Sequence, residues 1–438
     1  MRIRCYKNFR MTRKLLYFIV ALGLLVSQRA FALSESGFKN LHIFSKILSQ
    51  VEKNYVENVN DTELVQNSIR GMLSGLDPHT VYMPPQSYKE LRTDTAGKFG
   101  GVGVEVWVRG GMLTVVAPIE GSPADRAGLK SGDKIIRIDG KSTRDLDLSQ
   151  SILQMRGNVG SKMTMTIQRD DPKKTFDVTM TREVIKVPSI RSEVLDKEYG
   201  YVKIRSFQER TAKDLKKELD KLRKKNALKG LIIDMRDNPG GLLDQAVEVV
   251  DIFINKGVIV TTESRGKEID RREAHGVATE DISYPIIILV NGGTASASEI
   301  VAGAMQDHQR AVALGTQTFG KGSVQTVIEM DDGSALKLTI ALYFTPKGRS
   351  IQAQGIMPDI IVEDQPPEIA KDEKRGIRER DLPGHLEVPP ERIDTREGAK
   401  LVTKTGKLDY QKKVALDYLK SWEIFKAGTA PLSRPLPK

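Results

Sequence analysis

The fold of this 438-residue chain is indicated most directly by one stretch, Pro285-Ile-Ile-Ile-Leu-Val-Asn-Gly-Gly-Thr-Ala-Ser-Ala-Ser-Glu-Ile300. Its unbroken apolar run predicts a buried strand over residues 286–290. Two glycines end that run, and the small residues after them predict a helix over 297–309. A strand that leads directly into a helix is the repeating unit of α/β proteins, so this stretch favours a parallel sheet.

The same strand-then-helix order occurs twice upstream. A strand predicted at 201–204 precedes a helix at 212–225, and a strand at 231–235 precedes a helix at 243–254. We therefore predict an α/β core with a mostly parallel sheet over residues 184–365. Functional groups are expected where its strands end and its helices begin.

The flanking regions have different patterns. Residues 33–96 carry apolar residues at helical spacing, which predicts a helical N-terminal segment for packing or dimer contact. Residues 97–183 alternate in short runs between glycine turns, which predicts a compact β-rich module with one main helix at 148–155. Residues 366–438 are predicted to be a solvated polar linker followed by an amphipathic interaction helix at 410–425.

Residues 1–32 have the three parts of a secretory signal peptide: a basic start, an apolar run over 15–26, and Ala30-Phe31-Ala32 as a cleavage site. Twelve apolar residues are short of the roughly 20 that span a bilayer. We expect cleavage or weak membrane tethering, and an exported protein of the periplasm or cell envelope. The leader holds seven basic residues and no acidic one, so the formal charge of +11 falls to +4 without it.

That low charge disfavours nucleic acid as a partner, since binding needs a clustered basic patch. The only cysteine, Cys5, lies in the leader. A cysteine nucleophile and a thiolate metal site are thereby excluded from the mature chain. No metal-ligand spacing is recognisable among the acidic residues.

Ser296 is predicted near a helix N-terminus, where backbone N–H groups stabilise developing negative charge. Serine is also an ordinary helix cap, and the local pattern does not separate the two roles. The five histidines show no sign of acting as its base and are interpreted as surface or packing residues. Lys321, between Gly320 and Gly322, is the better candidate, because burial in an apolar pocket lowers a lysine pKa. A solvated loop lysine is the alternative.

Three glycine segments allow further roles. Residues 234–242 end a predicted strand in a turn that would suit an oxyanion hole, or serve only as a tight turn. Gly100-Gly-Val-Gly-Val-Glu105 would offer amides to a peptide carboxylate beside a strand. Residues 315–321 fit G-x-x-x-x-G-K, but Gly322 replaces the Ser or Thr of a phosphate-binding loop and a strand is predicted next. Nucleotide binding is therefore disfavoured.

Six short segments between residues 41 and 362 form, in their order along the chain, a pattern that is more specific than any single motif. They are Leu76-Asp-Pro-His-Thr80, Phe99-Gly-Gly-Val-Gly-Val-Glu105, Gly121-Ser-Pro-Ala124 with Ala127-Gly-Leu129, residues 234–241, residues 295–300, and Thr318-Phe-Gly-Lys-Gly322 followed by Gln325. Together they resemble the C-terminal processing peptidases, also called tail-specific proteases. The resemblance implies a PDZ-like module at 97–183 and a protease core of crotonase-like type.

The resemblance implies that Ser296 is the nucleophile, that Lys321 is the general base, and that Gln325 orients the lysine. It also implies oxyanion donors at the amides of Gly241 and Ala297, and an acyl-transfer mechanism that requires neither a metal nor a cofactor. One departure is Thr294, where the family usually has serine; it keeps the hydroxyl. Asp307 matches an acidic position in some members and is interpreted as structural.

The resemblance further implies that Gly101, Val102, Gly103 and Val104 bind the substrate's C-terminus. The expected partners are proteins or peptides with apolar C-termini, with an activating or adaptor protein and a homodimer as further hypotheses. A catalytically silent PDZ scaffold is the alternative from another class, and a nonproteolytic hydrolase remains open.

Overall fold

A computed structural model describes residues 34–109, 111–144, 146–225, 227–276, 283–364, 378–386, 399–400 and 409–428. The signal peptide predicted over 1–32 lies outside these residues. The chain divides into two compact units between Met72 and Leu73. No helix among the described residues is long and apolar enough to cross a membrane.

The first unit contains α1 (Glu35–Asn54) and most of α2 (Asp61–Ser74). The Ser34 hydroxyl caps α1 by accepting a hydrogen bond from the Gly37 amide at 3.1 Å. One run of apolar side chains on α1 is exposed: Phe38, Leu41, Ile43, Phe44 and Ile47. The helical N-terminal segment expected from the sequence is therefore present.

The second unit begins earlier than the boundary predicted at residue 96. β1 (Val81–Met83) pairs antiparallel with a strand of the core at residues 335–337, and α3 (Pro85–Ala96) follows it. Residues 73–96 consequently belong with the larger unit, because their backbone completes one of its sheets.

The β-rich module is an antiparallel sheet with two helices. Its elements are β2 (Lys98–Gly101), β3 (Val104–Arg109), β4 (Met112–Pro118), α4 (Pro123–Arg126), β5 (Lys134–Ile138), β6 (Lys141–Ser142), α5 (Leu148–Met155), β7 (Lys162–Asp170), β8 (Lys173–Thr181) and β9 (Glu183–Lys186). The strand order is β3-β4-β5-β7-β8, with β6 on β5, and β2 pairs separately with β9. β3 is thus an edge strand of this sheet.

The core alternates strands and helices as predicted. Its elements are β10 (Ile190–Leu195), β11 (Tyr199–Ile204), α6 (Thr211–Lys225), β12 (Gly230–Asp234), α7 (Leu243–Asp251), β13 (Val258–Ser264), β14 (Lys267–Glu273), β15 (Ile286–Val290), α8 (Ala297–Asp307), β16 (Val312–Gly315), β17 (Ser323–Glu329), β18 (Ala335–Phe344) and β19 (Ile360–Ile361). A 3-10 helix (Glu379–Asp381), β20 (Ala399–Lys400) and α9 (Tyr410–Gly428) follow.

The main sheet has the order β10-β11-β12-β15-β16-β19-β20 and is parallel except at β10. A second, antiparallel sheet joins β1, β18, β13 and β14, with β17 on β18. One face of the main sheet is covered by apolar residues of α6, α7 and α8, such as Leu215, Val250 and Val301. Burial of both faces explains the unbroken apolar runs of its central strands.

The last helix covers the opposite face of the main sheet. Tyr410, Val414, Ala415 and Leu419 of α9 are buried in one cluster with residues of the sheet. The interaction helix predicted at 410–425 therefore docks largely within its own chain. Its far end still exposes apolar side chains, namely Trp422, Ile424 and Phe425.

Candidate active site

Three loops converge because their strands are neighbours. β12 pairs with β15, and β15 pairs with β16, with Val290 opposite Gly315. The loop after β12 carries Gly240 and Gly241, the loop after β15 ends at Ser296, and the loop after β16 carries Lys321. All three leave the carboxyl ends of parallel strands, which is where α/β folds place ligand sites.

Ser296 occupies the N-cap position of α8 with φ 58° and ψ −117°. A non-glycine residue rarely adopts this backbone conformation, and it costs roughly 1–3 kcal/mol. Surrounding hydrogen bonds hold it there. The amides of Glu299 and Ile300 both donate to the Ser296 carbonyl, at 2.8 and 3.1 Å. The backbone of Ser296 is thereby held at the start of a fully buried helix.

The serine loop is fastened to the loop after β12. Thr294 is fully buried, and its hydroxyl donates to the Met235 carbonyl at 2.8 Å. The Asn238 carbonyl accepts from the Ala295 amide at 2.9 Å and from the Ser298 hydroxyl at 3.0 Å. The hydroxyl that Thr294 retains in place of serine is thus a link between the two loops.

The two glycines of that loop are closely packed, Gly240 against Ser296 and Gly241 against the backbone of Phe207. Gly240 has φ 101°, and a Cβ there would lie 2.9 Å from the Ser296 Cβ and 3.0 Å from the Ala297 nitrogen. The Gly240 amide donates to the Asn238 side chain at 2.9 Å. Among the described residues, the amides of Gly241 and Ala297 have no such partner. Those two amides can therefore donate hydrogen bonds to a developing oxyanion.

Lys321 is partly buried on the third loop. Burial, followed by the positive charge of Lys337, lowers the pKa of Lys321 to about 8. Three carboxylates oppose this shift: Glu379, Glu299 and Asp77. The lysine is consequently far easier to neutralise than a solvated one, as a general base requires.

Glu299 joins the serine loop to the lysine loop, and the sequence analysis assigned it no role. Its carboxylate accepts hydrogen bonds from the amides of Ser296, Gly320 and Lys321, at 2.8, 2.8 and 2.9 Å. The Thr318 hydroxyl donates to it at 2.5 Å. The S-x-x-E pattern of a capping box signalled the first of these bonds. No local pattern signalled the other three.

The same carboxylate has an altered acidity. Burial raises the pKa of Glu299 to about 7, against the lowering effect of its four hydrogen bonds.

The hydrogen bonds of Glu299 also decide whether the G-x-x-x-x-G-K pattern of residues 315–321 can bind a phosphate. The amides of Gly320 and Lys321 are already taken by a carboxylate, and β17 follows instead of a helix. The loop therefore cannot hold a phosphate. This agrees with the sequence analysis, which disfavoured nucleotide binding.

Gln325 lies on β17, near the lysine loop. Its side-chain nitrogen donates to the Ser323 hydroxyl at 2.7 Å and to that of Thr339 at 3.4 Å. Among the described residues, no hydrogen bond joins Lys321 to Gln325 or to the Ser296 hydroxyl. The role of Gln325 in orienting the lysine remains a prediction.

Asp307, the acidic residue that matches some family members, has a structural role. Asp307 accepts from the Lys347 amide at 3.0 Å and pairs with Arg349, in agreement with its structural interpretation. His308 bonds the Val258 carbonyl at 2.6 Å. The part of the chain that the structure describes has no cluster of three or more His, Cys, Asp or Glu able to hold a metal ion.

The predicted peptide-binding residues lie at the start of the edge strand β3. Gly101 pairs with Glu183 in β9, and the carbonyl of the buried Val102 accepts from the Ala124 amide. Gly103 has φ 73°, which turns the chain into β3 at Val104. Among the described strands, β3 pairs with β4 alone in its sheet, which leaves an edge of the kind that can take an added strand.

Three regions of the chain match known protein families. Residues 198–362 match Peptidase family S41, residues 114–169 match a PDZ domain, and residues 25–87 match the N-terminal domain of the activating protease CtpB. A carboxy-terminal-processing protease of Bartonella bacilliformis is 41% identical over 432 residues, covering 96% of this chain and 99% of its own length. The chain is a C-terminal processing peptidase of family S41.

Other members of this family are also similar. CtpA of Bacillus subtilis, named a carboxy-terminal processing protease, is 36% identical over 79% of this chain and 73% of its own length. A solved photosystem II D1 C-terminal processing protease is 29% identical, with a TM-score of 0.45, over 76% of this chain and 94% of its own.

The family assignment confirms the predicted fold class and the predicted enzyme class. This S41 peptidase has the helical N-terminal region, the PDZ domain and the mixed α/β protease core that were expected. It is a serine-type peptidase, so the silent scaffold is not favoured.

Proposed function

We propose that this peptidase uses Ser296 as nucleophile and Lys321 as general base. The observation that carries the proposal is Glu299, whose carboxylate bonds the amides of both residues. Catalysis by a lysine requires a neutral amine near working pH, and burial supplies it. Gln325 is proposed to orient the lysine once substrate is bound.

The proposed reaction is acyl transfer to the serine. Neutral Lys321 removes the Ser296 proton while the serine oxygen attacks a peptide carbonyl. The amides of Gly241 and Ala297 stabilise the oxyanion. The lysine ammonium then gives its proton to the leaving amine, and the peptide bond breaks. Water, activated by the same lysine, hydrolyses the acyl-enzyme and regenerates the serine.

We infer that the PDZ domain selects the substrate. A peptide C-terminus would add to the open edge of β3, with its carboxylate at the amides of Gly101, Val102 and Gly103. Val104 and Val106 of β3, and Leu148 and Ile152 of α5, pack on one apolar cluster, which suits apolar C-terminal residues. The relatives are named carboxy-terminal processing proteases, which supports this specificity.

The remaining proposals concern location and partners. The signal-peptide pattern supports export to the periplasm or cell envelope, with weak membrane association if the leader is not cleaved. The match to the CtpB N-terminal domain supports control by an activating or adaptor protein. The exposed apolar side chains of α1 support a homodimer.

The test compares the wild type with Ser296→Ala and Lys321→Ala, using an unfolded protein with an apolar C-terminus as substrate. We expect both variants to lose cleavage at least a thousandfold while retaining the unfolding transition of the wild type. Capping the substrate's C-terminus as an amide should raise KM more than it lowers kcat. Full activity of Lys321→Ala would refute the lysine as base.

A further inference from the structure

The segment that follows the core returns to the lysine loop. Most of the predicted polar linker lies outside the described residues, but residues 378–386 are described, and Glu379 within them is fully buried. The Glu379 amide donates to the Phe319 carbonyl at 3.2 Å. The Arg378 side chain donates to the carbonyls of Gln317 and Thr318, at 2.8 and 2.9 Å. This segment thus lies along the backbone that leads to Lys321.

The Glu379 carboxylate is bonded from two sides. The Nε2 of His79 lies 2.9 and 2.8 Å from its two oxygens, and the Gln352 side chain donates to it at 2.9 Å. The other end of the Gln352 side chain accepts from the Gly322 amide at 3.0 Å. A short chain of hydrogen bonds therefore joins Glu379 to the residue next to Lys321.

His79 belongs to the Leu76–Thr80 motif, which matches the family but had no assigned function. Asp77 in that motif accepts from the amides of His79 and Thr80 and from the Thr339 hydroxyl, at 2.8, 3.0 and 3.0 Å. The motif is thus fixed to β18 while it presents His79 to Glu379. This arrangement gives the motif a physical purpose at the catalytic loop.

The groups whose charges act on Lys321 come from four parts of the chain: Lys337 from β18, Glu379 from the 3-10 helix, Glu299 from α8 and Asp77 from the motif. Glu379 and Lys321 act on each other, because the lysine also lowers the pKa of Glu379. A buried carboxylate costs several kcal/mol unless it is paired and hydrogen-bonded. Glu379 meets that condition only where His79, Gln352 and the lysine loop come together.

We propose that Glu379 is a positioning residue of this protease, which holds the lysine loop in its working geometry through Gln352 and His79. The proposal rests on the assignment of Lys321 as the base. It makes the segment after the matched S41 region a required part of the active site. Residues 378 and 379 act on the base through the backbone of the lysine loop.

The test uses Glu379→Gln, which keeps the size of the side chain and removes its charge. Its matched control is Glu363→Gln, at an exposed glutamate shortly before the segment. The kcat and kcat/KM for a peptide with an apolar C-terminus are measured from pH 6 to 10. For Glu379→Gln we expect a plateau kcat at least fivefold lower, a KM within twofold, and an acid limb moved to lower pH. The acid limb is expected at lower pH because Glu379 stabilises the Lys321 ammonium, so that loss of its charge lowers the pKa of Lys321. Glu363→Gln should match the wild type.

His79→Gln provides an independent variant that retains the carboxylate. It should lower the plateau kcat without moving the acid limb downward. A folded Glu379→Gln with the wild-type plateau and midpoint overturns the proposal, and so does a plateau loss without a shift in the midpoint. If Glu379→Gln does not fold, His79→Gln decides: a wild-type plateau overturns the proposal and a lowered one supports it. Cleavage that survives Lys321→Ala would instead refute the proposed base.

Discussion

The acidity of Lys321 predicts how the activity depends on pH. With a pKa of about 8, about one lysine in eleven is neutral at pH 7, and about ten in eleven at pH 9. Since only the neutral amine accepts the serine proton, protonation of Lys321 alone should lower kcat/KM about tenfold from pH 9 to pH 7 and about a hundredfold by pH 6. A solvated lysine would place the same midpoint above pH 10.

Two further groups refine this prediction. Glu299 has a pKa of about 7, and its protonation below that pH removes one of the acceptor sites that hold the two loops. The logarithm of kcat/KM should therefore approach a slope of two below pH 7. Lys337 lowers the pKa of Lys321 by its charge, so Lys337→Met should move the midpoint upward and reduce activity at pH 7. Lys267→Met, at an exposed lysine, should not.

The assay is the initial rate of cleavage of a quenched peptide well below KM, in buffers of constant ionic strength. Inhibition by a serine-reactive phosphonate reports the nucleophile separately. Unfolding at each pH is followed by fluorescence, so that only folded enzyme is counted. A midpoint near 6.5 would indicate a histidine as base and refute the reasoning. An unchanged midpoint in Lys337→Met would refute the electrostatic part.

Other predictions concern the loops and the PDZ domain. Gly240→Ala should lower kcat at least tenfold, because the added Cβ would lie 2.7 Å from the Ala295 carbonyl oxygen. The control is Gly266→Ala, which should remain active, because Gly266 also has a positive φ but has open space where the Cβ would lie. Thr294→Ser should be close to neutral, whereas Thr294→Val should cost about 1–3 kcal/mol in urea unfolding, because the hydrogen bonds of the Thr294 hydroxyl with the Met235 carbonyl and the Asn291 amide are both lost. Equal stability of the Thr294→Ser and Thr294→Val variants would contradict the role of the Thr294 hydroxyl in linking the two loops. Asp133→Asn should destabilise the protein by about 3 kcal/mol, because Arg169 is bonded to both oxygens of the buried Asp133; a loss under 1 kcal/mol would count against that pair.

The local pattern of the sequence determined the elements of this protein. The predicted strand 286–290 and helix 148–155 coincide with β15 and α5. Helix periodicity, unbroken apolar runs and glycine turns are properties of neighbouring residues, so they survive in any context. The resemblance to the family added Ser296 and Lys321 as candidates, since motif spacing is also carried by the sequence.

Only the tertiary structure decided how those residues are supported. Glu299 bonds a loop 21 residues away, and Glu379 bonds His79 from 300 residues away. Such pairs depend on strand order and on where the chain returns, which no local periodicity encodes. Docking of α9 likewise depends on an open sheet face elsewhere. The acidities of Lys321 and Glu299 follow from burial, and burial is a property of the packed chain: the same side chains in water would keep their ordinary pKa values.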